Sequence, residues 1–345
     1  MASIRAALKN VAAAPPKWSD FKKKRRAASS SSSKPSEAES AVASGPYSFP
    51  SQYPAHVFFH GFLVIASFAM LPRTIPLDPP PEQLRNLDRP QYAFIAPLTA
   101  RPEVTAAWVA LGNAMLVGWW AGSIREWVRE GKMGLKIAER LRDETHRKDI
   151  WNAALFTLYS GVAYALVCVL CGAPLVTHLP HTLLLGLNLA ILTVHVPAYA
   201  LGPPRLPFKL PFVGSKEDRR DSNSTLLLNN TWVRLFAERD ARSPKERAIA
   251  YPAFGALTGA WVGVIPIGLD WDRPWQAYPL TPLLGATFGY VFGAFFAVIV
   301  NITLFLAAYD VEDSNPTPPI NWAADKDNSA EGKKKGGKKV SFKQE

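Results

Sequence analysis

Gly255-Ala-Leu-Thr-Gly259-Ala-Trp-Val-Gly263 and Gly285-Ala-Thr-Phe-Gly289-Tyr-Val-Phe-Gly293 set glycine at every fourth position in two apolar stretches. On a helix that spacing puts the glycines of each stretch on one face, as a groove without a side-chain ridge. In lipid no water drives helices together, so close backbone approach at small residues becomes the main source of packing. Between the stretches runs Leu269-Asp-Trp-Asp-Arg-Pro-Trp-Gln276, with the only charged residues between Tyr251 and Tyr309. Two apolar segments with matching glycine lines and a short polar turn read as a tightly packed transmembrane hairpin.

The rest of the chain repeats the apolar theme. It has 345 residues, is 48% hydrophobic and carries a formal net charge of +11. Six windows, 54–72, 104–124, 150–172, 181–201, 248–269 and 280–309, hold no Asp, Glu, Lys or Arg. Each is long enough for a hydrocarbon core that needs about 20 apolar residues, whereas a soluble core helix carries charge on its outer face. The expected fold is therefore an all-α polytopic membrane protein with six transmembrane helices over 54–309. Of the 39 Lys and Arg residues, 34 fall in 1–53, 125–149, 205–247 and the tail from 310, which alternate with the spans. By the positive-inside rule those segments, and so both termini, are expected to be cytosolic. Basic charge spread over every segment on one side is what membrane topology produces, and it argues against nucleic acid as the partner.

Outside the spans the composition changes. Residues 1–53 hold the basic run Lys22 to Arg26 and the serines Ser29 to Ser33, too little apolar surface to offset chain entropy, so a disordered tail is expected. Arg5 and Lys9 in an Ala-rich start give a weak transit-peptide look. The tail 310–345, with Lys333 to Lys335, Lys338 and Lys339, is expected to be disordered too. Both cytosolic loops, 125–149 and 205–247, are amphipathic and suit helices on the membrane surface. In the second, Leu228, Trp232, Leu235 and Phe236 share a helical face. Asn223 and Asn229 fit glycosylation sequons but stand in a loop expected to be cytosolic, and Asn301 fits within the sixth span.

Candidate chemistry is sparse. His56 and His60 are spaced i, i+4, but a metal needs more than two ligands, and interfacial histidines are the better reading. Cys168-x-x-Cys171 lies inside the third span, where apolar packing is favoured over a redox role. Asn188 and His195, seven residues apart on the fourth span, suit interhelical hydrogen bonds better than substrate contacts. Gly118 and Gly122 supply one more Gly-xxx-Gly pair. Arg273-Pro274 echoes a lipid phosphatase, but no Ser-Gly-His follows, and the spans lack the clustered aspartates of a CDP-alcohol phosphotransferase. Asp270-x-Asp272 resembles the metal-binding pair of glycosyltransferases, without room for a nucleotide-sugar domain. In the structural reading Arg273 pairs with either aspartate, Pro274 stiffens the turn, and Trp271 and Trp275 anchor at the interface. No catalytic residue, cofactor site or metal site is expected.

Gly259-Ala-Trp-Val-Gly-Val-Ile-Pro-Ile-Gly-Leu-Asp-Trp-Asp-Arg-Pro-Trp-Gln276, followed by Leu284-Gly-Ala-Thr-Phe-Gly-Tyr290, resembles the signature of the PIG-F family of glycosylphosphatidylinositol (GPI) anchor biosynthesis. Gly172-Ala-Pro174 is a weaker echo, and the resemblance covers about residues 50–310. It implies a multi-pass protein of the endoplasmic reticulum membrane without catalysis of its own. It also implies association with, and stabilisation of, the ethanolamine phosphate transferases that modify the second and third mannoses of the anchor. The turn would then stand on the lumenal side, where that glycan lies. On this reading Gly255, Gly259, Gly263, Asp270, Trp271, Asp272, Arg273, Pro274, Trp275, Gly285, Gly289 and Gly293 are structural or partner-contacting residues. The alternative is a carrier or transporter of a lipid or phosphoethanolamine donor in the same pathway. The terminal Ser341-Phe-Lys-Gln-Glu345 lacks a di-lysine retrieval signal, so residence in that membrane would come from the partner or the spans.

Overall fold

A computed structural model describes residues 48–74, 94–130, 135–205 and 222–314. Most of the N-terminal tail, the proline-rich stretch 75–93, the start of the 205–247 loop and the Lys-rich end of the chain lie outside the described residues. The expected disordered tails fall there too; everything below concerns the unit of Pro46–Pro316.

Among the described residues the chain is helical and without strands. We number the helices α1 (Tyr53–Met70), α2 (Pro102–Glu130), α3 (Leu135–Leu170), α4 (Leu179–Ala200), α5 (Ser222–Trp232), α6 (Pro244–Val264) and α7 (Leu280–Ser314). Six of them, all but α5, are long and apolar enough to cross a membrane.

Local signals account for the helix ends. Proline stands in the first turn of α1, α4 and α6, where its missing N–H is no loss. Ser243 caps α6 in a reciprocal box: its hydroxyl accepts from Glu246 N at 3.2 Å, and the Glu246 carboxylate accepts from Ser243 N at 3.2 Å. Within α4, residues Ile191–His195 form a π-helical turn just before Pro197, which has no N–H to give the preceding turn.

Packing is centred on α4. Two thirds of its apolar window is buried, against 28% of the windows of α1 and α3, so α4 is the inner helix and those two line the periphery. It packs against α2, α3 and α6, while α1 packs against α2 and α7. Polar side chains tie these helices together. Asn113 of α2 donates to Asn188 of α4 at 3.2 Å, and Thr157 of α3 bonds the His195 ring at 3.2 Å. His60 of α1 meets the Tyr290 hydroxyl of α7 at 3.1 Å, and Thr193 donates to the Tyr164 hydroxyl at 3.1 Å. Such bonds contribute about 0.6 kcal/mol each in membrane proteins, so they orient the helices more than they bind them. His56 and His60 part company: His60 is 1% exposed and stacks on Trp120, while His56 is exposed.

The basic loops differ from the surface helices that the sequence suggests. α2 runs on to Glu130 and α3 starts at Leu135, so most of 125–149 prolongs the two spans. Buried Arg125 fixes this end: it ion-pairs with Asp149, which Arg129 also approaches at 3.6 Å, and donates to the Tyr199 carbonyl of α4 at 2.8 Å. In the second loop α5 docks on the bundle through a continuing π-helical turn, Val233–Ala237. Leu235 is fully buried, and the Trp232 indole donates to the Gly202 carbonyl at 3.0 Å. The sequon residue Asn229 clasps the Arg205 backbone from both sides. Arg234 then bonds both oxygens of Glu246, a contact that raises the guanidinium's hold on its proton.

Candidate functional site

The two glycine lines face one another along α6 and α7. A Cβ added at Gly259 would collide with the Gly285 carbonyl oxygen and lie 2.9 Å from Gly289 Cα. At Gly255 it would meet the Gly289 carbonyl and, at 3.1 Å, Gly293 Cα; at Gly263, the Thr281 carbonyl and Pro282 Cα at 2.8 Å. The relation is reciprocal from α7: Gly285 faces Gly259, Gly289 faces Gly255, and Gly293 faces Tyr251 and Pro252. Where another residue has Cβ, each glycine has a hydrogen aimed at a carbonyl oxygen, the Cα–H···O arrangement that recurs at helix interfaces. Every obstacle is backbone, so a side chain here must push helix from helix.

The turn that closes this seam is held by Gln276. Its amide nitrogen donates to the Pro266 carbonyl at 2.6 Å and to that of Leu269 at 2.8 Å, and its side-chain oxygen accepts from Arg273 N at 2.6 Å. One side chain thus ties three backbone groups of the turn together, adding to the bonds that Leu269 N and Trp271 N make to the same two carbonyls. Asp272 takes a left-handed φ of 45°, which Asp tolerates better than most residues. Asp270, Asp272 and Arg273 are all exposed. Trp271 and Trp275 stand with ring centroids 5.7 Å apart, and Trp271 is half exposed. Beside them opens a cavity of about 360 Å³ lined by Ile267, Leu269, Asp272, Arg273, Pro274, Gln276 and Ala277. Past the turn, Tyr278 donates to Thr182 at 3.1 Å, and Thr182 donates to the Pro174 carbonyl at 3.0 Å, tying the hairpin to the start of α4.

Three features escaped the sequence reading. A second close approach joins α3 to α4, where a Cβ on Gly186 would collide with the Gly161 carbonyl and one on Gly161 would lie 3.1 Å from Leu187 Cα. These are single glycines on separate helices, with no repeated spacing to mark them. Arg247, 4% exposed at the start of α6, donates to Asn301 of α7 at 2.6 Å and to the carbonyls of Ala241 and Arg242. Its position at the edge of a charge-free window concealed it. Gln276 stood inside the quoted signature, but only the fold reveals the backbone groups it serves. Among the described residues no group of three or more His, Cys, Asp or Glu could hold a metal, and the Cys168 and Cys171 thiols are free.

Six apolar helices around a buried polar middle, two of them joined backbone to backbone, define a multi-pass membrane protein of the helix-bundle class. Residues 129–298 match the model of the GPI biosynthesis protein family Pig-F, a stretch that takes in the whole turn and both glycine lines. A "GPI ethanolamine phosphate transferase, stabilizing subunit" of Homo sapiens is 32% identical over 142 residues, 41% of this chain and 54% of that protein. A "Glycosylphosphatidylinositol anchor biosynthesis protein 11" of Pyricularia oryzae is 30% identical over 175 residues, 51% of this chain and 55% of that protein. The protein of the same name from Candida albicans is 58% identical over 45 residues, 13% of this chain and 17% of that protein. The chain spans about half the length of the curated relatives first named. No solved structure matches.

Proposed function

We propose that this chain is a non-catalytic membrane subunit in GPI-anchor biosynthesis, resident in the endoplasmic reticulum membrane. It binds and stabilises ethanolamine phosphate transferases acting on the second and third mannoses of the anchor. The observation that carries this reading is the family match across the hairpin, together with relatives named as the stabilizing subunit of such a transferase. The bundle adds a physical reason. Peripheral helices expose large apolar side chains, among them Phe58, Phe59 and Phe62 of α1 and Phe292 and Phe296 of α7, which suit lipid or the spans of a larger protein. In this proposal the seam makes a rigid core, and the Trp271–Trp275 knob is the docking element, since aromatic residues dominate interface hot spots. The basic ends and both termini face the cytosol, and the turn faces the lumen.

Affinity purification of the tagged chain from its own membranes tests the proposal. The expected result is a transferase recovered at fixed stoichiometry, whose abundance falls when the chain is depleted while turnover per remaining molecule holds. Unchanged transferase abundance after depletion, with none recovered on the tag, overturns it. A glycosylation acceptor inserted after Arg273 is expected to be modified and the native Asn229 to stay bare; sugar on Asn229 reverses the orientation.

A further inference from the structure

We propose that Cys168 and Cys171 form a disulfide that closes the end of α3, made by exchange with the disulfide of a thiol oxidoreductase on the lumenal side. They are the chain's only cysteines. The sequence sets both inside the third span, but α3 ends at Leu170; Cys171 is its exposed cap, and Cys168 is half-buried against the core. The helix stops in a glycine motif. Gly172 takes a left-handed φ of 100°, its N–H donates to the Val169 carbonyl at 2.9 Å, and the Ala173 N–H donates to the Cys168 carbonyl at 2.9 Å. The Cys171 N–H is shared between the carbonyls of Val167 at 3.0 Å and Cys168 at 3.1 Å. The second of these bonds tightens the last turn towards the 3₁₀ form, in which side chains three apart eclipse. On an α-helix such Cβ atoms stand roughly 5–6 Å apart, and a disulfide needs about 3.5–4.5 Å. The tightening therefore runs in the direction the bond requires. No atom lies within 4 Å of a Cβ built on Gly172, so the cap has room to close.

The pair stands at the end of the bundle that carries the α6–α7 turn. Tyr278, just past that turn, donates to Thr182, and Thr182 donates to the Pro174 carbonyl in the connection that Cys171 begins. Cys168 lies near Tyr278 itself. That end is lumenal in the proposed function, and the inference rests on that reading, because thiols pair in the lumen of the endoplasmic reticulum and stay reduced in the cytosol. Exposed Cys171 reacts first: its thiolate attacks one sulfur of the oxidoreductase's disulfide, and the other sulfur leaves as a thiolate. The Cys168 thiolate then attacks the Cys171 sulfur of the mixed disulfide. The Cys168–Cys171 bond forms, and the second oxidoreductase sulfur leaves. The chain gives up two electrons and two protons, and the oxidoreductase's disulfide becomes a dithiol. The place of the pair on its helix decides what the bond is for. The negative end of the helix dipole disfavours a thiolate, whereas reactive cysteines have theirs stabilised at helix N-termini. A pair without a stabilised thiolate stays oxidised, so it serves as a clasp and not as an oxidant. The clasp holds the cap from which the connection runs to Pro174, and through Thr182 and Tyr278 it steadies the closed hairpin.

The test uses the full chain in its own membranes, dissolved in SDS with N-ethylmaleimide so that burial shields no thiol. Maleimide adducts are counted by mass spectrometry before and after reduction. The expected count is none before reduction and two after, on a chain with two cysteines. Cys168→Ser and Cys171→Ser are each expected to show their one adduct without reduction, since each removes the other's partner. In folded membranes, reduction of the wild-type chain is expected to speed proteolysis between Cys171 and His178, and reduction of Cys168→Ser to change nothing. Two adducts on the unreduced wild-type chain overturn the proposal. So does a chain that runs as a larger species until reduced, which would put the bond to another molecule. A glycosylation acceptor after Arg273, read in the same membranes, separates the two levels. Free thiols beside a glycosylated acceptor refute the pairing alone; free thiols beside a bare acceptor refute the orientation with it.

Discussion

Gly255, Gly259 and Gly263 look onto the backbone of α7, whereas Gly118 and Gly122, spaced the same way on α2, look onto almost nothing. The nearest atom to a Cβ on Gly118 is His195 Nε2 at 3.9 Å, and no atom lies within 4 Å of one on Gly122. Spacing alone specifies a face and leaves open what covers it. Chain connection decides the rest. The short turn after α6 returns the chain as an antiparallel neighbour with glycines of its own, so the two grooves meet. The α3–α4 approach at Gly161 and Gly186 follows the same rule, across the short connection between Leu170 and Leu179. α2 has no such partner for its pair: its chain neighbours α1 and α3 present no glycine to it.

Filling both grooves tests whether the facing backbone makes the difference. Gly259→Leu with Gly289→Leu puts side chains against facing backbone and is expected to cost on the order of 3 kcal/mol or more, the upper range of overpacking. Thermal unfolding in detergent and the yield of folded chain read the loss. Gly122→Leu is expected to stay within about 0.5 kcal/mol, as at other sites without neighbours. Equal effects from the two substitutions would mean that the seam is not the closed one.

A second contrast sets the seam beside the polar lock at its far end. Arg247 and Asn301 join the start of α6 to α7, and the Asn301 amide also donates to the Pro244 carbonyl at 3.2 Å. Asn301→Leu leaves a buried guanidinium short of an acceptor and is expected to cost about 2 kcal/mol. Arg247→Met removes the charge together with its need and is expected to cost roughly half as much. The reverse order, in the same unfolding assay, would show that the charge itself holds the helices.

How far the sequence reaches follows from these elements. Charge-free windows announce the six spans because lipid admits few charges, and glycine spacing announces the seam because only glycine permits that approach. The ends were less legible. Arg125 to Asp149 reads as a surface segment by its charges, yet Arg125 is buried because α4 offers it the Tyr199 carbonyl, a partner 74 residues away. His60 reads as an interfacial histidine because nothing near it in sequence shows that Tyr290 will meet it. At the turn, nothing in sequence order shows that the Gln276 amide will meet the Pro266 and Leu269 carbonyls. Each of these depends on which helices become neighbours, a property of the whole bundle.

The turn offers a smaller effect. Gln276→Ala frees the Arg273 N–H and leaves the Pro266 and Leu269 carbonyls with only their bonds from Leu269 N and Trp271 N. All three are near solvent, so water takes over part of the bonding, and the expected cost is about 1 kcal/mol. Gln276→Glu, which keeps the acceptor but turns a carboxylate toward two carbonyl oxygens, is expected to cost more than Gln276→Ala. Limited proteolysis at the turn ranks the two variants. The opposite ranking would show that the bond to Arg273 N alone closes the loop.

The smallest expected effect is the one most informative about function. Asp270 is exposed and has no ion pair among the described residues, and it is absent from the cavity lining that includes Asp272. Asp270→Asn changes one charge and almost no volume, so stability is expected to move by no more than about 0.5 kcal/mol, the usual range for a surface substitution. Transferase recovery and ethanolamine phosphate transfer per complex are expected to equal those of the wild type. Arg273→Gln is the natural companion, because it alters the cavity wall and leaves Asp270 in place. If Asp270→Asn assembles normally yet abolishes transfer, a carboxylate of this turn takes part in the reaction or holds its substrate, and the chain is part of the active site instead of its support. If both variants transfer normally, the turn acts through its shape, set by Gln276 and the backbone of Asp272, and through the two indole rings it presents.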